Sequence, residues 1–306
     1  MPRSEFGPGF RFLPASEILS FEEIARVARL FVSLGVQKLR LTGGEPLLRR
    51  DLPKLIQLLP QSDDLDLALT TNGSLLAAHA AKLAQAGLRR VTVSLDSLDD
   101  AVFQRMNDAQ VPVRDVLQGI ERAVSVGLEV KINAVIRRGV NDAGLLDLVR
   151  HFKGSGQILR LIEFMDVGST NGWNRDEVVP AREMLERIGA VFGLEPAAAN
   201  YPGEVAQRYR FSDGGGELGI IASVTQPFCA DCSRGRLSAQ GSFYTCLFAS
   251  DGHDVRALLR GGASDDEIRA SLTERWRARR DAYSELRGRP LQLGVRRKIE
   301  MSYIGG

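Results

Sequence analysis

This sequence predicts an α/β protein built on a parallel sheet, followed by a smaller second unit, on the strength of three observations. Short apolar runs alternate with amphipathic helical stretches through the first two thirds of the chain. Two of the clearest helical stretches stop at a glycine, Gly87 and Gly127. After about Pro196 the alternation gives way to shorter strand-like pieces, and all three cysteines lie among them. Strands that alternate with helices assemble into a parallel sheet through right-handed crossovers. The division expected is 1–196 for the sheet unit and 197–306 for the second.

The first helix begins at Ser20. Glu23 completes a capping box, and Ile24, Val27, Phe31 and Leu34 form an apolar stripe that Gly35 closes. VQKLRL at 36–41 reads as the first strand. Further strands are expected at 65–70, 91–95, 129–136 (EVKINAVI) and 158–164 (ILRLIEF), with helices at 75–86 and 113–126 between them. A parallel sheet needs cover on both faces and protection at its edges. With five strands visible, either a sixth precedes Met1 or the edge is covered another way. Beyond Pro196, strand-like pieces fall at 205–211, 218–224 and 243–248, and helices at 254–259 and 265–280.

The chain has 306 residues, 44% of them hydrophobic and 25% charged, with a formal net charge of +2. That balance gives no global reason to expect nucleic-acid or membrane partners. The arginine-rich stretch 275–298 reads as a solvated helical face and tail. The opening MPRSEFGPGF lacks the apolar core of a secretory signal, and no run of about 18 apolar residues occurs, so a cytoplasmic protein is expected.

Polar residues gather at the C-terminal ends of the expected strands: Thr42-Gly43-Gly44-Glu45-Pro46, Thr70-Thr71-Asn72-Gly73, Ser94-Leu95-Asp96-Ser97 and Glu163-Phe164-Met165-Asp166. Parallel sheets bind their ligands at those ends. The cysteines form a second constellation. Cys229 and Cys232 are spaced Cys-x-x-Cys, and Cys246 follows fourteen positions later. Three thiolates suit zinc completed by a histidine, for which His253 is nearest in sequence, or an iron–sulfur cluster with one iron free of protein ligands. The spacing alone does not choose. Arg234 and Arg236 follow the pair directly and suit phosphate, with Gly235 between them allowing close backbone approach.

The motifs LRLTGGEPLLRRDL, LALTTNGSLL, RVTVSLDSLD, VKINAVIRRGVND, LRLIEFMDVGSTNGW, SVTQPFCADCSRGRLSAQGSFYTCLF and the terminal EMSYIGG, in that order, resemble the GTP 3′,8-cyclase family of molybdenum cofactor biosynthesis. The resemblance implies a partial (β/α)6 TIM-like barrel with radical S-adenosylmethionine (SAM) chemistry, here lacking its first strand, and a smaller C-terminal α+β domain with a second 4Fe–4S cluster. It implies that Cys229, Cys232 and Cys246 ligate that cluster and that Arg40, Thr71, Lys131, Arg234, Gly235 and Arg236 contact GTP. It also implies that Gly44, Ser94 and Met165 contact SAM, and that the Gly305-Gly306 tail reaches the active site. A pathway partner, cyclic pyranopterin monophosphate synthase, follows, and a homodimer is among the implied assemblies.

One departure accompanies this resemblance. The family carries Cys-x-x-x-Cys-x-x-Cys ending in Met-Pro, and Met1-Pro2 matches only that last pair. The cysteines for the SAM-cleaving first cluster and an N-terminal GTP arginine are not among these residues. The sequence as written is therefore expected not to cleave SAM. The alternative reading is a degenerate homologue that binds GTP and one cluster without radical chemistry.

Overall fold

The computed structural model describes residues 7, 9–168, 170–287 and 298–305. Met1-Pro2 and Gly306 lie outside them. The strands, in chain order, are β1 (Lys38–Leu41), β2 (Asp66–Thr71), β3 (Arg90–Ser94), β4 (Glu129–Ile136), β5 (Ile158–Glu163), β6 (Leu194–Ala197), β7 (Gln207–Phe211), β8 (Glu217–Ile221), β9 (Arg236–Leu237), β10 (Ser242–Tyr244) and β11 (His253–Asp254). The α-helices are α1 (Phe21–Ser33), α2 (Leu52–Leu58), α3 (Leu76–Gln85), α4 (Asp100–Asn107), α5 (Val113–Ser125), α6 (Leu145–Phe152), α7 (Ala181–Gly189), α8 (Val255–Arg260), α9 (Asp265–Arg277), α10 (Tyr283–Leu286) and α11 (Met301–Ile304).

Eight strands form one sheet in the order β1-β2-β3-β4-β5-β8-β7-β6, parallel from β1 through β8 and antiparallel from β8 to β7 and β6. The five expected strands are present, and a sixth parallel strand comes from β8. The pieces expected at 205–211 and 218–224 therefore extend the main sheet instead of starting a separate one, because β8 pairs with β5 from Leu159↔Leu218 onward. The fold is mixed α/β, and the hydrogen-bonded ladder is open between β1 and β6.

The sheet nevertheless curls. Four strand spacings would put β1 and β5 about 19 Å apart in a flat sheet. Arg160 on β5 instead lies close enough to Arg40 on β1 to disfavour its charge. Tyr201, between β6 and β7, stands 5.8 Å under the ammonium of Lys38, so this connection reaches across to the β1 side.

Local signals explain the helices. Ser20 and Glu23 form the reciprocal capping box of α1, and Ser264 and Glu267 form another at α9. Gly87 and Gly127 take positive φ just after α3 and α5, where a Cβ would be strained. α3 and α5 pack tightly because Gly119 sits against the Gly73 carbonyl at 2.9 Å from where a Cβ would stand. The main core fills the space between the helices and one face of the sheet, with Leu69, Val93, Ile132 and Leu161 fully buried.

A second core joins the two ends of the chain. Leu19, Val27 and Leu30 around α1 pack with Phe243, Val255, Ile268 and Leu272 from the β10, α8 and α9 region. Of the expected α1 stripe, Val27 is buried whereas Leu34 is exposed. The small sheet β11-β10-β9 is antiparallel. No helix among the described residues is long and apolar enough to cross a membrane.

A candidate nucleotide and cluster site

Strand register sorts the sheet into two unlike faces. Registered partners on parallel strands project to the same side, and side chains alternate along each strand. Arg40↔Ala68↔Arg90, Thr70↔Thr92↔Lys131 and Ser94↔Asn133↔Arg160 therefore share one face. The other face carries the apolar core. A curled sheet that is greasy outside and cationic inside is a cradle for an anionic ligand.

The cations inside the cradle are poorly neutralised. Asp66 receives Arg90 and also Lys38, the latter at 3.5 Å, and Glu129 stands 3.2 Å from Lys131. Arg160 has no carboxylate within salt-bridge reach among the described residues. Its Nη2 donates to Thr92 at 3.2 Å, while its Nε is buried without a partner. Burial, then repulsion from Arg90, pushes its pKa down. Gly219 on β8 makes room for it, since a Cβ there would lie 2.8 Å from Arg160 Cγ. Arg40 is open to solvent at the mouth of the cradle, yet protein surrounds it on enough sides that burial lowers its pKa to about 10, with Arg160, Arg234 and Arg90 adding repulsion. Thr70 Oγ1 and Asn133 Oδ1 on this same face are also buried without partners. Unpartnered buried polar atoms cost stability unless a ligand or water meets them.

The cysteine loops approach the β1 side of the cradle. The Cys-x-x-Cys turn is closed by the Cys232 N–H donating to the Cys229 carbonyl at 3.2 Å. All three thiols are free and partly accessible. Arg234 folds back so that Nε and Nη2 lie 3.3 and 3.2 Å from Cys232 Sγ, with its guanidinium 5.0 Å from the Phe228 ring centre. Burial would raise the Cys232 pKa, but Arg234 outweighs it by charge and hydrogen bonds, with Arg279 adding, and the thiol ends below its ordinary value. Cys246 is pushed up by burial, then by Asp281 and Cys229, against the Phe248 N–H and Arg236. Arg236 is lowered to about 10 by burial, then by Arg234 and Arg40, against the pull of Cys246 and Cys232.

These couplings place Arg236 near Arg234, Arg40, Cys232 and Cys246, and Cys246 near Cys229. Among the described residues, no three His, Cys, Asp or Glu side chains are spaced for a single metal ion. His253 Nε2 is engaged with Ser271 Oγ of α9 at 2.7 Å, and the described residues gather no set of side chains in which it would complete a zinc site. The three free thiols, with Arg234 on Cys232 Sγ and Arg236 coupled to Cys232 and Cys246, have the donor chemistry of iron–sulfur ligands.

Several expected residues are placed differently from the sequence reading. Thr71 lies on the helix-facing side with Leu69 and Val93, buried. Its hydroxyl donates to Glu45 at 2.8 Å, and Thr70 is the β2 threonine on the inner face. Glu45 also accepts from Leu47 N–H at 3.0 Å and Asn72 N–H at 2.8 Å, tying the turns after β1 and β2 together. Gly235 is glycine for packing, since a Cβ there would meet the Phe243 ring at 2.6 Å.

Gly44 is exposed on the turn after β1, and Ser94 faces inward at the end of β3. Met165 and Phe228 pack on one small cluster around Ile162, Ala206 and Ile221, so the loop after β5 and the cysteine loop share one apolar support. Gly305 accepts from Arg236 Nε at 3.1 Å, and the space a Cβ would fill is taken by Thr42. The C-terminal segment thus ends between the turn after β1 and the cysteine-loop arginine. Lys38, Arg90, Asn133 and Arg160 were not singled out from the sequence. The available signal was polar residues alternating with apolar ones inside β1, β4 and β5.

The two parts of the chain match families that place it in the radical-SAM class with a molybdenum-cofactor-synthesis C-terminal region. The Radical SAM superfamily pattern matches residues 3–152 and the Molybdenum Cofactor Synthesis C pattern matches residues 157–285. The chain belongs to the GTP 3′,8-cyclase family. It is 52% identical to the GTP 3′,8-cyclase of Acidothermus cellulolyticus and 47% identical to that of Staphylococcus epidermidis, in each case over 100% of this chain and 91% of the relative. Among solved structures it is similar to Streptococcus suis SuiB bound to S-adenosylmethionine, with a TM-score of 0.59, 13% identity and coverage of 86% of this chain and 63% of that one, a likeness of fold.

Proposed function

We propose that this chain binds GTP on the cationic inner face of the sheet for conversion to 3′,8-cyclo-7,8-dihydro-GTP, the first committed step towards molybdenum cofactor, a conversion that the residues of this sequence do not start by themselves because the cysteines expected for SAM cleavage are not among them. The observation that carries this reading is the convergence of Arg40, Arg160, Arg234 and Arg236, with Lys131 on the same inner face, where only a few acids oppose them. Family membership supports it, because the relatives are named for that activity.

In this reading the triphosphate lies against Arg160, Lys131 and Arg40. Its charge offsets the burial and, after it, the mutual repulsion that lower the pKa values of Arg40 and Arg160. Arg234 and Arg236 orient the guanine end beside the cysteines, and Thr71 acts through Glu45 to hold the turn that frames the nucleotide. Gly44, Ser94 and Met165 hold SAM, with Thr70 Oγ1 and Asn133 Oδ1 as hydrogen-bonding groups awaiting a partner. Cys229, Cys232 and Cys246 would hold a 4Fe–4S cluster, and its chemistry is to offer an iron site to the purine. The product would pass to cyclic pyranopterin monophosphate synthase. A cytoplasmic location and a homodimer belong to the same proposal.

Replacing Arg234 and Arg236 together by alanine is expected to weaken GTP binding by about 2–5 kcal/mol, read by calorimetry on anaerobically reconstituted protein. Unchanged affinity would remove the nucleotide from this end of the cradle.

A further inference from the structure

Asp166, one residue beyond Met165, is buried at 8% exposure. Three donors from the C-terminal part of the chain converge on its carboxylate. They are the Tyr283 hydroxyl, Arg287 Nε at 2.8 Å and Lys298 Nζ at 2.7 Å. Lys298 also donates to the Asp166 carbonyl at 2.9 Å, and Arg287 Nη1 to the Ser223 carbonyl at 2.8 Å. Tyr283 stacks on Phe248, two residues past Cys246, with ring centres 4.3 Å apart.

The same segment continues into the site. Ile299 N–H donates to the Ala249 carbonyl at 3.3 Å. Glu300 accepts from Thr170 Oγ1 at 3.0 Å. Gly305 then meets Thr42 and Arg236. One carboxylate therefore joins the loop after β5, the loop carrying Cys246 and the segment that ends against an expected nucleotide ligand.

We propose that Asp166 is a positioning residue: by gathering Tyr283, Arg287 and Lys298 it fixes segment 298–305 so that Gly305 holds Arg236 in place for the nucleotide. Its charge is what the position requires. A neutral group of the same shape removes the negative charge that Arg287 and Lys298 share at this position, and weakens their hold on it. The effect on nucleotide binding rests on the GTP reading above, whereas the effect on the segment does not.

The test uses the full chain with Asp166→Asn and, as a milder variant, Tyr283→Phe. Amide hydrogen exchange in 299–305 is expected to accelerate about tenfold or more in Asp166→Asn and about threefold in Tyr283→Phe, with α3 and α5 unchanged. GTP dissociation constants should rise about tenfold in Asp166→Asn, and that rise should vanish when it is made in an Arg236→Met background, because the two act in series.

Unchanged exchange in 299–305 overturns the proposal, as does acceleration spread equally over α3 and α5, or a GTP effect that adds fully to that of Arg236→Met. If Asp166→Asn does not fold, the Tyr283→Phe exchange decides in the same way. If the wild type does not bind GTP, the function proposed above fails while the exchange data still judge Asp166.

Discussion

Glu163 ends β5 with its side chain fully buried, and its carboxylate is saturated by donors from two distant parts of the chain. It accepts from Ala181 N–H at 2.7 Å at the start of α7, from Val224 N–H at 2.7 Å, from Thr225 N–H at 2.8 Å and from the Thr225 hydroxyl at 2.5 Å. Glu163→Ala would leave three backbone N–H groups without acceptors, that of Ala181 buried and those of Val224 and Thr225 part-buried. Each costs about 1–3 kcal/mol, less what is regained by no longer burying a carboxylate, so the net loss should be about 4 kcal/mol. Glu163→Gln keeps one oxygen but turns an NH2 towards donors, and should lose about 2 kcal/mol. Equilibrium unfolding in urea reads both, as lower midpoints in that order. If Glu163→Ala unfolds within about 1 kcal/mol of wild type, the hydrogen-bond geometry is not what holds α7 and the end of β8 to β5.

Two further outcomes follow from the same electrostatics. Burial pushes the Asp96 carboxyl up to about 6, opposed in part by the Val135 N–H. A raised carboxyl pKa means that the folded state loses stability as pH climbs from the ordinary aspartate range to about 6, and carries that loss above it. Asp96→Asn keeps an acceptor for Val135, so it should be more stable than wild type by about 2 kcal/mol at pH 8 and equal near pH 4, and urea unfolding with no pH-dependent difference would refute this. Arg160→Met removes a cation whose Nε has no partner. It should leave the stability of the free protein within about 1 kcal/mol while weakening GTP about tenfold by calorimetry, and unchanged affinity would take Arg160 out of the site.

Much of the frame was legible because local chemistry wrote it. The Ser20–Glu23 box, the glycines after α3 and α5, and the apolar runs of β1 to β5 need no distant partner to be read. The fate of 205–211 and 218–224 was not legible in this way. Whether a short apolar strand extends an existing sheet or starts a new one depends on which edge is free, and β8 fills the edge beside β5. The contact between α1 and α9 was hidden for the same reason, since it joins residues from opposite ends of the chain.

The site divides similarly. The cysteines, Arg234 and Arg236 sit in one contiguous motif and were found there. Arg160 and Asn133 were passed over because each lies alone between apolar neighbours, and Lys38 because it follows Gln37 at the start of a short strand; only the register of five strands puts them on one face. Thr71 shows the limit of motif reading. Two adjacent threonines look alike in sequence, and the pleat sends one to Glu45 and the other to the cradle.

The inner face as a polyphosphate site is tested most directly by comparing GTP with guanosine in one calorimetric series on the reconstituted chain. A cradle built from poorly neutralised cations should bind GTP at least about 100-fold more tightly, because the triphosphate supplies further counter-charge. Equal affinities would mean that these guanidinium groups do not face the ligand.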